Sequence, residues 1–78
     1  MTKQEFLHAF EEILELDRGT LSGSEQLYSL KSWDSLAVLG FLAFADEKFG
    51  IALAPTDINR TKTVNELIAL LGSSITSS

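Results

Sequence analysis

Seventy-eight residues with no cysteine make one small domain that must fold without disulfides or thiolate metal sites, by packing helices around a single core. Such a core spares little volume for a preformed catalytic cleft. Six Lys and Arg against eleven Asp and Glu leave a net charge of −5, which repels phosphate backbones and anionic membranes, argues against nucleic acid as a partner and favours basic protein surfaces.

The chain opens on Thr2 and Glu5, a T-x-x-E capping box, after which Phe6, Leu7, Phe10, Ile13 and Leu14 recur at helical spacing. This predicts a first helix over residues 3–17, with Gly19 as its left-handed stop. His8, Glu11, Glu12 and Glu15 fall on the opposite, solvated face, so the single histidine has neither a second metal ligand nor a nucleophile beside it. Before the helix, Met1 to Glu5 lack the basic and then apolar pattern of a secretory signal. The longest apolar run, Leu36 to Ala45, is well short of the roughly 20 residues that span a bilayer. A cytoplasmic protein without a membrane segment is the expectation.

From Arg18 to Trp33 the periodicity breaks, with Ser22-Gly23-Ser24 as punctuation, yet Leu21, Leu27, Leu30 and Trp33 recur as apolar anchors. A connection of this length inside a compact domain is expected to be pinned to the core and to hold a helical turn. Asp34-Ser35 then opens a second helix that runs to about Lys48 and closes at Gly50. Val38, Phe41, Leu42, Ala45 and Phe49 are its expected core face, while Leu36, Gly40, Ala43 and Glu47 form a nearly uncharged outer stripe. Pro55 suits the first turn of a short third helix through Arg60. Thr63 and Glu66 form another capping box, and Val64, Leu67, Ile68 and Leu71 mark the inner face of a last helix ending at Gly72. The fold class is therefore all-α, a four-helix bundle with a short third helix. The domain is expected over residues 1–72, with 73–78 as a flexible, fraying tail.

One histidine, no cysteine, no Gly-rich phosphate loop and no paired carboxylates leave no catalytic constellation and no metal set. A serine that opens a helix is ordinarily a cap. Its context here is more specific. Trp33-Asp34-Ser35-Leu36, the helix ending Asp46-Glu47-Lys48-Phe49-Gly50-Ile51, Pro55 beyond it and Thr63-Val64 with Leu67 together resemble an acyl carrier protein over about residues 3–71.

The resemblance implies a four-helix carrier with 4′-phosphopantetheine attached covalently to Ser35. It implies transfer of that group from coenzyme A by a phosphopantetheinyl transferase, and a supporting role for Asp34 in presenting the hydroxyl. It further implies a non-catalytic, stand-alone and monomeric protein that carries acyl or aminoacyl groups as thioesters. A loading ligase or acyltransferase would charge it, and a downstream synthase or transferase would discharge it. These partners must approach Ser35, which makes Leu36, Gly40, Ala43 and Glu47 the expected docking residues. Ala37 and Gly40 stand where carriers of general fatty-acid synthesis usually bear acids, and Trp33 looks more like discrete carriers of specialised pathways, with aminoacyl, polyketide-type or cell-surface lipid chemistry. The competing reading is an unmodified helical interaction module of the same fold.

Overall fold

Thr2 caps the first helix as its sequence dictates: its Oγ1 accepts the Glu5 N–H at 3.1 Å, and the Glu5 carboxylate accepts the Thr2 N–H at 2.8 Å. In the computed structural model, which describes residues 1–76, helix α1 spans Lys3–Ile13. It ends four residues earlier than its pattern predicts. The stop is at Glu15, whose φ of 58° places it in the left-handed region. The Leu16 N–H bonds the Glu11 carbonyl at 2.8 Å and the Glu15 N–H bonds the Glu12 carbonyl at 3.1 Å. That pair of bonds is a Schellman motif, with glutamate where glycine is usual.

A second departure follows from the first. Glu11, expected on the solvated face, is 1% exposed. Its carboxylate accepts the Gly19 N–H at 3.1 Å and the Leu21 N–H at 2.8 Å. Because α1 stops early, the chain folds back over its last turn and encloses this side chain, whose charge is met by backbone donors.

The crossover segment is pinned as expected. Leu21 and Leu27 are buried, Leu30 and Trp33 are half-buried on the core, and Leu27–Ser29 forms a 3₁₀ turn. Its middle is tied to the start of the last helix. The Leu27 N–H bonds the Lys62 carbonyl at 2.8 Å, the Asn65 N–H bonds the Gly23 carbonyl at 2.8 Å, and the Val64 N–H bonds the Glu25 carbonyl at 3.1 Å. At Gly23, φ is +115°, a backbone conformation that favours glycine, and a Cβ there would also push the exposed Asn65 side chain aside.

Helix α2 spans Ser35–Phe49 and closes on Gly50 at φ 66°. Helix α3, Pro55–Asn59, is opened by proline and by the Asp57 carboxylate, which accepts the Ala54 N–H at 2.8 Å. Helix α4, Val64–Leu70, is capped by the Thr63 hydroxyl on the Glu66 N–H at 3.2 Å. Only half of the expected box forms there, because the Glu66 carboxylate accepts the Lys62 N–H at 3.0 Å rather than that of Thr63.

The described residues thus build four α-helices, the third of five residues, and no strand. Phe6, Phe10, Phe41, Val64 and Leu67 have no exposed surface and form the centre of the core. Residues 73–76, placed by the sequence in a fraying tail, are engaged with the domain. Gly72–Ser74 makes a 3₁₀ turn, Ile75 packs on the core, and Thr76 pairs with the opposite terminus through Lys3 N–H to its carbonyl and its N–H to Met1, both at 2.9 Å. The end of the expected tail, residues 77 and 78, lies outside the described residues.

Candidate functional site

The first residue of α2 is Ser35, and it is exposed. Asp34 precedes it in extended conformation, and its carboxylate caps the helix by accepting the Ala37 N–H at 2.9 Å. The Asp34 carbonyl takes the Val38 N–H at 3.0 Å. The N–H groups of Ser35 and Leu36, and the Ser35 hydroxyl, take no partner among the described residues. A 15-residue helix therefore presents a free hydroxyl beside two open donors at its positive end, where a phosphodiester is stabilised. The residues present fit a phosphate-linked group on Ser35.

Helix α2 is rotated relative to its expected facing. The buried residues are Ala37, Phe41 and Ala45, whereas Val38, Leu42 and Phe49 are half-buried. At 100° per residue the core face lies roughly 60° from the one that periodicity suggested. Phe44 supplies the reason. It turns inward onto Phe6 with ring centroids 6.0 Å apart and onto Phe49 at 5.7 Å, drawing the Ala37 side of the helix into the core.

The expected outer stripe changes accordingly. Leu36 is 77% exposed, and Ala43 and Glu47 are exposed. Gly40 is half-buried at the edge of the stripe, where a Cβ would lie 3.3 Å from the Ile13 methyl of α1. Leu39, outside both the expected core face and the expected stripe, is 60% exposed beside Leu36. Its angular position next to Leu36 and Ala43 was the available signal. Together Leu36 and Leu39 make an apolar edge directly after Ser35.

Trp33 is half-buried on Phe10, with ring centroids 5.6 Å apart in an edge geometry, and so fixes the chain just before the site. His8 is bonded to Gln4 at 3.0 Å on α1, and among the described residues no three His, Cys, Asp or Glu are grouped to hold a metal. No helix among them is long and apolar enough to cross a membrane.

The family model described as the phosphopantetheine attachment site matches residues 4–71. No curated protein and no solved structure matches the chain. The matched segment runs from α1 through the end of α4, carrying the whole bundle with it. With that match over most of its length, the chain belongs to the phosphopantetheine-attachment family of small helical carrier domains, which bear 4′-phosphopantetheine as a covalent group.

Proposed function

We propose that Ser35 is the attachment residue and that the protein carries acyl or aminoacyl groups as thioesters for a specialised biosynthetic pathway. The observation that carries this reading is the exposed Ser35 hydroxyl at the first position of α2, beside open backbone donors. A phosphopantetheinyl transferase would form the bond from Ser35 Oγ to phosphorus as the pyrophosphate linkage of coenzyme A breaks, releasing adenosine bisphosphate and the hydroxyl proton. Once bound, the group supplies a thiol that takes the cargo as a thioester. Beyond the Ser35 hydroxyl that receives the group, the side chains of the carrier hold no reacting atom for the thioester chemistry; they anchor, orient and are recognised.

Asp34 has two parts in this account. It caps α2, holding the Ser35 backbone in place, and its exposed carboxylate is a feature for the transferase to read. Leu36, Ala43 and Glu47 are the open residues of the docking face, with Gly40 at its edge. The ligase or acyltransferase that loads the cargo and the synthase or transferase that removes it would share this surface. Tethering raises the effective concentration of cargo at each docked enzyme without a separate encounter. Dependence on coenzyme A suits a cytoplasmic setting. The pathway preference rests on Ala37 and Gly40, where a carrier of general fatty-acid synthesis would present acids, and on Trp33.

Mass spectrometry of the protein purified from its own cells tests the reading as a whole. The expected species carries one phosphopantetheine, with an acyl or aminoacyl group on part of the population. A population that is wholly unmodified would instead identify an interaction module.

A further inference from the structure

Beneath Ser35 the core is filled by aromatic rings in an unbroken series. Trp33 meets Phe10 at 5.6 Å between centroids, Phe10 meets Phe41 at 5.9 Å, Phe41 meets Phe6 at 6.2 Å, and Phe6 meets Phe44 at 6.0 Å. Phe44 continues the series to Phe49 at 5.7 Å. Phe6, Phe10 and Phe41 have no exposed surface. A chain threaded between the helices would have to part these rings, and close-packed cores resist such insertion.

Among the described residues, a crevice and a larger groove lie near Ser35. On the α3 side, a crevice bordered by Trp33, Val38 and Ile58 encloses about 190 Å³. That is below the roughly 300–1,000 Å³ of small-molecule sites. On the α1 side, an open groove of about 720 Å³ runs between the last turn of α1 and the first turns of α2. Its lining includes both Asp34 and Leu36, so it begins at the residues that flank Ser35. Leu36 and Leu39 form one wall, and Ile13 lines the side of α1. Gly40 contributes no side chain there, which keeps the groove open between the helices.

We propose that the arm attached at Ser35, together with the group it carries, lies along this outer groove and does not enter the core. The inference rests on Ser35 being the attachment residue. The groove has one fitting occupant, the protein's own pantetheine arm, because it begins at Asp34 and Leu36 on either side of the attachment residue. This occupant also explains the exposure of two adjacent leucines: the methyl and methylene groups of pantetheine would cover them. The cargo class that follows is a short or polar acyl or aminoacyl group, which stays accessible at the surface.

The test uses protein with labelled Ile, Leu and Val methyl groups, observed by NMR as apo-protein, as holo-protein and after loading with acetyl or octanoyl groups. Intact mass is recorded first. A missing mass gain, or a gain that survives Ser35→Ala, sinks the attachment reading and removes the occupant with it. Given modification at Ser35, the methyls of Ile13, Leu36 and Leu39 are expected to shift several-fold more than those of Val38, Ile58 and Leu67. They should also show cross-relaxation to the pantetheine methyls, and octanoyl protons should stay near Leu39. Leu39→Ser, at an exposed position, should weaken that cross-relaxation while leaving the mass gain intact. Cross-relaxation to Val38, Ile58 or the core rings, or none to the groove methyls, would overturn the proposal while the attachment reading stands.

Discussion

Glu11 shows how one side chain converts an early helix stop into a fixed loop. Its carboxylate is 1% exposed and holds the Gly19 and Leu21 N–H groups from the returning chain. Glu11→Ala would leave those donors without a partner, and a buried donor so orphaned costs about 1–3 kcal/mol. Urea unfolding is expected to show a loss of about 2–3 kcal/mol for Glu11→Ala and a smaller loss for Glu11→Gln, which retains one acceptor. Equal stability in all three proteins would contradict the clamp. Two other acids act on the chain nearer the surface. Burial alone would raise the Glu25 carboxyl, but N–H bonds from Ser22 and Gly23 outweigh it and hold the group below its ordinary 4.5. Glu5 is lowered by its bonds with the Thr2 backbone and side chain. A depressed carboxyl contributes stability above its unfolded pKa and loses it as pH falls through the folded one. The unfolding midpoint should therefore fall on acidification below about 4.5. Glu25→Gln should flatten part of that fall, and an unchanged acid profile would show that the Glu25 bonds are not formed in solution.

At the scale of the helices, the end of α1 can be tested directly, because Glu15 sits at φ 58° where glycine would sit without strain. Glu15→Gly is expected to raise stability by up to about 1 kcal/mol, read from the thermal midpoint. A drop would mean that the Glu15 side chain contributes more than its backbone costs. Local signals were sufficient for the Thr2 and Glu5 box, the Asp34 cap, the Gly50 close and Pro55 at the head of α3, since each depends on atoms within a few residues. The burial of Glu11 depends on a partner ten positions away, beyond the reach of the helical pattern that ends at Leu14. The facing of α2 was likewise set from outside it, by Phe6 of α1 taking Phe44. The Thr2 and Thr76 pairing joins opposite ends of the described chain, which no helical or turn pattern encodes. The start of α2 at Ser35 was legible through its Asp34 cap, whereas the leucine edge beside it became visible only once α2 had its rotation.

For the molecule as a whole, the proposed function requires repeated approach at one end of α2. If Leu36, Ala43 and Glu47 form the docking face, a charge placed at the exposed Ala43 should interfere without disturbing the core. Ala43→Glu is expected to keep its helicity and to lower the rate of loading by the cognate enzyme several-fold. Loading of the parent protein should depend only modestly on salt, because the stripe near Ser35 is apolar. Unimpaired loading of folded Ala43→Glu would move recognition to the crossover segment around Leu30 to Trp33. Attachment at Ser35 is decided by intact mass of the parent and Ser35→Ala proteins after incubation with coenzyme A and a broad-specificity phosphopantetheinyl transferase, with helicity of both measured alongside. The parent is predicted to gain one phosphopantetheine and the folded Ser35→Ala protein none; a gain in Ser35→Ala, a modification mapped to Ser32, or an unchanged parent would contradict it.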